Sequence, residues 1–92
     1  MKIKKEKVKF EELKKIDLSS NNISDINILE KVKFKELKGL YLYENNISDI
    51  KVLENVKFEK LEELNLIGNE KDLTKNNLII SKLKSLLKNL YI

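Results

Sequence analysis

Hydrophobic residues recur along the chain in one short pattern that occurs three times. The pattern is L-x-x-[LI]-x-L-x-x-N, and its copies begin at Leu13, Leu37 and Leu61. At its centre every second residue is apolar, and this period of two predicts a short β-strand with one buried face. The asparagine that ends each copy predicts a turn, because its short amide side chain hydrogen-bonds nearby backbone groups.

The pattern belongs to a repeat of 24 residues, which decides the domain organisation. Two successive repeats are identical at 15 of their 24 positions, and a third keeps the same register as far as Asn69. Since every repeat returns the chain by the same route, the strands of successive repeats are expected to pair in parallel. We predict a single domain built from a partial repeat at residues 1–9, repeats at 10–33, 34–57 and 58–75, and a C-terminal segment at 76–92.

The second half of each complete repeat predicts a short helix. Ser24 and Ser48 are of the residue type that caps helix N-termini, and Asp25 and Asp49 follow where the helix dipole favours negative charge. Apolar residues come next at helical spacing. A phenylalanine begins each repeat, and the three rings are expected to stack as a column in the core: Phe10, Phe34 and Phe58.

The asparagines at the strand ends are expected to form a structural ladder rather than a ligand site. Asn21, Asn45 and Asn69 stand at the same position of successive repeats. Stacked above one another, their amides would hydrogen-bond the backbone of their own and the neighbouring coil. A buried amide needs such partners before it needs a ligand.

These repeats, from Phe10 to Asn69, resemble the leucine-rich repeat family, whose periods run from about 20 to 29 residues. The resemblance implies a right-handed α/β solenoid with a short parallel sheet on its concave face and short helices on its convex face. It also implies a function, since leucine-rich repeat arrays generally bind proteins on the concave face or its rims. Such proteins often serve as scaffolds, regulatory subunits or effector surfaces.

The C-terminal segment differs from the repeats. Its apolar residues follow a helical spacing, which predicts one amphipathic helix that covers the open apolar end of the solenoid. The residues of the predicted apolar stripe are Ile79, Leu83, Leu86, Leu87 and Leu90.

Composition excludes most catalytic chemistry. The chain has no His or Cys, so Ser-His and Cys-His catalysis, zinc sites and disulfides are excluded. It has two glycines and therefore no glycine-rich phosphate loop. No apolar run approaches the length of about 20 residues that a membrane span needs, and the charged N-terminus does not resemble a signal peptide. We expect a cytoplasmic protein without enzymatic activity, cofactor, metal ion or membrane contact.

The strand residues that flank the buried positions are expected to face the other side of the sheet, which is the predicted concave face. Tyr41, Tyr43 and Ile67 would lie there on neighbouring strands. Tyrosine is enriched in interface hot spots, and clustered apolar groups on a soluble surface favour a binding function. The predicted partner-binding residues are Asp17, Ser19, Tyr41, Tyr43, Glu63, Asn65 and Ile67.

The sequence is compatible with two other functions. Lys9, Lys33 and Lys57 recur once per repeat, and a lysine stripe is the electrostatic footprint of a nucleic-acid or polyanion site. Interspersed glutamates and the absence of arginine disfavour nucleic acid. The chain is also compatible with a structural spacer in a longer array. The scarcity of apolar residues in 1–9, which leaves the first coil poorly covered, favours a fragment of such an array. Both a monomer and a fragment of such an array remain possible.

Overall fold

Four short parallel strands form one sheet in the computed structural model, which describes residues 12–70, 73 and 77–92. The strands lie side by side in chain order, and each pairs in parallel with the next. They are β1 (Lys15–Asp17), β2 (Gly39–Tyr41), β3 (Glu63–Asn65) and β4 (Asn89–Tyr91).

The register of the sheet follows the sequence repeat. Ile16 pairs with Leu40 and Leu40 with Leu64, so equivalent residues of successive repeats are neighbours. Leu40 and Leu64 are both fully buried, and Ile16 packs against the core from the edge strand. The prediction of short parallel strands with one buried face is therefore confirmed for the three repeats.

The helices of the first two return segments are single turns of 3₁₀-helix, at Asn27–Lys31 and Lys51–Glu54. The prediction that serines cap them is wrong. The residues before the two helices are Ile26 and Ile50, and neither makes a side-chain capping bond.

Aspartate side chains, not serines, hydrogen-bond the backbone where these helices begin. Asp25 Oδ1 accepts a hydrogen bond from the N–H of Asn27 at 2.8 Å, and Asp49 Oδ1 accepts one from Lys51 at 2.9 Å. These side chains bond the backbone two residues ahead, which is the geometry of an Asx turn. The aspartates therefore play the structural part that the sequence assigned to Ser24 and Ser48.

The C-terminal segment contains a helix followed by a strand, so the prediction of one helix through Leu90 is wrong. The helix α1 spans Asn77–Leu86 and is followed by β4. It packs against the Lys51–Glu54 turn and β4, which makes it the return segment of the third coil. Leu86, the last residue of the helix, is 70% exposed and so does not belong to a buried apolar stripe.

The core is one continuous stack of aliphatic residues with an aromatic pair beside it. The rings of Phe34 and Phe58 stack with their centroids 5.7 Å apart, and Phe34 is fully buried. Two of the three predicted phenylalanines therefore form the expected column. Phe10 lies outside the described residues, as does the partial repeat at 1–9.

Candidate functional site

Two rows of side chains cross the side of the sheet opposite the core, which we call the open sheet face. The strand register places one row in line: Asp17, Tyr41, Asn65 and Tyr91. A second row lies two residues further along the chain, where backbone hydrogen bonds join successive coils. It consists of Ser19, Tyr43 and Ile67.

All seven residues predicted for partner binding belong to this face or its edge. Glu63 precedes the first row and lies in register with Gly39 and Asn89. Ile67 is 49% exposed, and the rings of Tyr41 and Tyr43 are half-buried. The face therefore presents apolar and aromatic surface on adjacent coils.

Tyr41 lies back along its own strand and covers Gly39. A Cβ atom on Gly39 would approach the Tyr41 hydroxyl oxygen to 2.7 Å and two ring carbons to 3.0 Å. The ring can therefore occupy this place only because residue 39 lacks a side chain. From there, the Tyr41 hydroxyl donates a hydrogen bond of 3.3 Å to Glu63 Oε2 on the next strand.

The surroundings of Tyr41 raise its pKa above the usual value of 10.0. Burial of the phenol is the main cause, followed by the charge of Glu63 and the hydrogen bond to it, and then by Asp17 and Tyr91. Each disfavours the phenolate. Tyr41 is therefore a neutral hydrogen-bond donor at neutral pH.

This pKa shift predicts a loss of stability at high pH. As the pH rises, Tyr41 ionises first in the unfolded state, because its pKa is lower there than in the folded state. Ionisation of Tyr41 therefore leaves the free energy of unfolding unchanged below about pH 10 and lowers it above that pH. Chemical denaturation of the wild type and Tyr41→Phe from about pH 9 to about pH 11 measures the effect. We expect a shallower decline in the variant, and an intermediate decline in Glu63→Gln. Parallel declines in all three proteins would contradict the assignment.

The side chains of Asp17 and Asn65, which lie on the open face, also hydrogen-bond the backbone where their strands end. Asp17 Oδ1 accepts a hydrogen bond from the N–H of Ser19, and Asn65 Oδ1 accepts one from Ile67, both at 3.0 Å. The bond from the Ser19 backbone lowers the pKa of Asp17, and the nearby Ser19 hydroxyl adds to this effect. That hydroxyl is buried beside the carboxylate without a hydrogen bond of good geometry to any described residue.

Asn45 connects two coils through its buried amide. Its Oδ1 accepts hydrogen bonds from the N–H groups of Asn21 and Ile23, both at 2.9 Å. Its Nδ2 donates to the carbonyls of Leu18 and Leu42, both at 3.0 Å. One amide therefore satisfies backbone groups on both sides of the junction.

Asn69 repeats this arrangement one coil further on, whereas Asn21 differs. Asn69 Oδ1 accepts from the N–H of Ile47 at 2.9 Å, and its Nδ2 donates to the carbonyls of Leu42 and Leu66. Asn21 is exposed, and among the described residues its side chain bonds only the carbonyl of Ser19 in its own turn. The amides of Asn45 and Asn69 therefore bond backward to the preceding coil, whereas that of Asn21 has no such bond to a described residue.

Tyr91 is the site residue that the sequence pattern missed. It pairs with Asn65 across the β3–β4 junction and is 42% exposed. Residues 87–92 read LKNLYI and closely match LKGLYL at 37–42. That similarity was the available signal, but its spacing from the third copy departs from 24 residues. The helical spacing of the preceding leucines concealed it.

A column of left-handed residues shapes the turns beside this face. Ser20, Glu44 and Gly68 have φ angles of 57°, 54° and 78°. A Cβ atom on Gly68 would lie 3.2 Å from the Glu44 backbone nitrogen. The column packs tightly, and its glycine is the residue that adopts this backbone conformation without strain.

Gly68→Ala is expected to lower the free energy of unfolding by about 1–2 kcal/mol, because alanine is strained at positive φ and its methyl group meets Glu44. Urea denaturation measures the loss. Glu44→Gly is the matched control, and we expect its stability to be unchanged or higher. Equal stability of Gly68→Ala and the wild type would contradict the strained turn.

Basic side chains surround a groove on another part of the surface, beside the stacked phenylalanines. The groove has a volume of about 400 Å³ and contains two residues of the predicted lysine stripe, Lys33 and Lys57. Lys9 lies outside the described residues. The groove is lined by Glu30, Val32, Lys33, Phe34, Lys35, Asn55, Lys57 and Glu59. Its glutamates partly cancel the lysine charges, as the sequence predicts.

A family model described as "Leucine Rich repeats (2 copies)" matches residues 11–55, which span the first two strands, their asparagine turns and their 3₁₀-helices. The chain is a leucine-rich repeat protein. No curated protein and no solved structure matches it. The family is generally one of interaction modules without enzymatic activity.

The remaining chemistry of this leucine-rich repeat protein is limited. In the part of the chain that the structure describes, no three His, Cys, Asp or Glu side chains are grouped so as to hold a metal ion. Within those same residues, no helix has the length and apolar character to cross a membrane.

Proposed function

We propose that this leucine-rich repeat protein is a non-catalytic module that binds a protein partner on the open sheet face, the predicted concave face. The observation that carries the proposal is the clustering of Tyr41, Tyr43 and Ile67 on adjacent coils. Ile67 is 49% exposed even though the chain buries many other aliphatic residues completely. Large apolar groups clustered on a surface favour an interaction site.

The rigidity of the sheet supports the same proposal. Asn45 and Asn69 fix the turns that follow the strands, and parallel pairing fixes the strands themselves. Side chains held on such a scaffold lose little conformational entropy on binding. Tyrosine adds a large amphipathic surface with few rotatable bonds, which is why it is common at interface hot spots.

The size of the face limits the expected affinity. Four strands at about 4.8 Å spacing make a sheet only about 14 Å wide between its outer strands. A typical stable interface buries about 800 Å² per partner. We therefore expect the turns and rims beside the sheet to contribute, and we expect a dissociation constant nearer micromolar than nanomolar.

A quantitative pull-down from the source lysate tests the proposal. The wild type is compared with Tyr41→Ser/Tyr43→Ser, which removes both rings from the open face. Lys33→Ser/Lys57→Ser is the matched control, since it changes two residues in the lysine groove. Circular dichroism first establishes that all three proteins are folded.

We expect the wild type and the lysine variant to capture the same lysate protein at high salt. The tyrosine variant is expected to capture about tenfold less of it, or none. Equal retention by all three proteins would contradict the proposal.

Binding of a polyanion by the lysine groove is the second candidate. Lys33, Lys35 and Lys57 surround it, which is the observation that favours this function. Phosphate contacts weaken steeply with salt. Retention only at low salt, lost in Lys33→Ser/Lys57→Ser and unaffected by the tyrosine substitutions, would support this alternative. A spacer role predicts no specific retention by any of the proteins.

A further inference from the structure

The charge of the open sheet face differs in sign from that of the whole chain. The chain carries 19 lysines against 15 acidic residues, a net charge of +4. On the face and its adjoining turn there are three carboxylates, on Asp17, Glu44 and Glu63, and one ammonium group, on Lys15. The lysine groove lies elsewhere, beside Phe34. The face and the turn after its strands therefore carry a net charge of about −2 on a basic protein, while Lys14 and Lys38 lie in the turn before the strands.

The carboxylates are arranged around an aromatic ring. Asp17 on β1 and Glu63 on β3 belong to the two strands that flank Tyr41 on β2. The Tyr41 ring packs against Gly39, and the residue as a whole is partly exposed to solvent. Glu63 uses Oε2 to accept from the Tyr41 hydroxyl. Its second carboxylate oxygen has no hydrogen bond to any described residue.

We propose that the protein segment bound by this face is anchored by an arginine or lysine side chain, seated on the Tyr41 ring between Asp17 and Glu63. This inference rests on the proposed function and specifies the chemistry of the partner. A cation over a tyrosine face is attracted by the electron-rich ring, and a neighbouring carboxylate adds a charge-assisted hydrogen bond. Tyr91, further along the same row, provides a second ring for the flanking residues of the partner.

The electrostatics of Tyr41 support this occupant. Burial is the main cause of the raised Tyr41 pKa, and the charges of Glu63 and then Asp17, on the two flanking strands, add to it. A bound cation would offset those charges. Binding of a basic ligand is therefore expected to lower the pKa of Tyr41, and this provides a readout located at the site.

A matched pair of peptides tests the proposal by NMR titration. The probe is Ac-Gly-Arg-Gly-Arg-Gly-NH₂, and its control replaces each arginine by citrulline, which has nearly the same shape and no charge. We expect saturable shifts at Tyr41 and Glu63 with the arginine peptide, a lowered pKa of Tyr41, and no saturable shifts with the citrulline peptide. Equal binding of both peptides would overturn the proposal.

Two protein variants of equal charge separate a specific site from general attraction. Asp17→Asn/Glu63→Gln neutralises the proposed site, and Glu30→Gln/Glu59→Gln neutralises two carboxylates of the lysine groove. We expect the first to weaken arginine-peptide binding about fivefold or more, and the second to leave it nearly unchanged. An equal loss in both variants would show that only net charge matters, which would overturn the proposal.

The same variants distinguish failure of this inference from failure of the proposed function. One outcome would be a lysate protein that no longer binds Tyr41→Ser/Tyr43→Ser but still binds Asp17→Asn/Glu63→Gln fully. This result would support the proposed protein binding and overturn the cationic anchor. Equal retention by the tyrosine variant and the wild type would overturn both. Self-association seen by analytical ultracentrifugation, abolished by the tyrosine substitutions and unaffected by Asp17→Asn/Glu63→Gln, would make a second copy of the chain the occupant and overturn the cationic anchor.

Discussion

Asn45→Ala is expected to lower the free energy of unfolding by about 3 kcal/mol or more, and to leave much of the protein unfolded at 37 °C. The Asn45 amide bonds backbone groups of Asn21, Ile23, Leu18 and Leu42. Removing it leaves donors and acceptors buried without partners, and each unsatisfied group costs about 1–3 kcal/mol. Urea denaturation followed by circular dichroism measures the loss.

Asn21→Ala is the matched control, because it makes the same chemical change at the equivalent position of the preceding repeat. Its side chain is exposed and bonds the Ser19 carbonyl within the same turn. We expect a loss below about 1 kcal/mol. Similar losses at Asn21 and Asn45 would contradict the view that the amide acts by joining adjacent coils.

Phe34→Ala is expected to cost about 3–5 kcal/mol, because it leaves a large cavity in a fully buried part of the core. It also removes the stacked contact with the Phe58 ring. Phe58 is only partly buried, so Phe58→Ala should cost less than Phe34→Ala. Thermal and urea unfolding of both variants test the order. A larger loss at Phe58 would contradict the packing of the aromatic pair.

Features fixed by local spacing were predictable from the sequence. Leu40 and Leu42 alternate with polar or aromatic residues, and the 24-residue repeat places their equivalents on neighbouring strands. This pattern determines which face of each strand is buried, and the repeat returns the chain by the same route, so the strands and their parallel order follow from the sequence. The same reasoning placed Tyr41 and Tyr43 opposite the core.

Features decided by competition between structures were not predictable in the same way. The spacing of Leu83, Leu86, Leu87 and Leu90 is that of the apolar face of an amphipathic helix and predicts one. The edge of β3 provides backbone hydrogen-bonding groups for the end of this segment. The N–H of Asn89 and the carbonyl of Tyr91 bond to that edge, so residues 89–91 form a strand. The pairing of β4 with β3 therefore outweighs the local preference of these residues for a helix, and this pairing exists only once the third coil has formed.

The details of the site also depend on contacts between strands. The fit of the Tyr41 ring over Gly39 and its bond to Glu63 join residues of two repeats, which no pattern within one repeat reveals. The helix caps illustrate the same point at short range. Ser24 and Asp25 are both good capping types, and only the backbone path after the asparagine turn decides that the aspartate forms the bond.

Site-specific photo-crosslinking tests protein binding on the open sheet face most directly. p-Benzoylphenylalanine replaces Tyr43 in one protein and Lys57, on the lysine groove, in another. Irradiation in the source lysate is followed by mass spectrometry of the adducts. We predict a defined protein adduct at position 43 and none of comparable yield at position 57. A defined adduct at position 57 together with none at position 43 would contradict protein binding on the open sheet face.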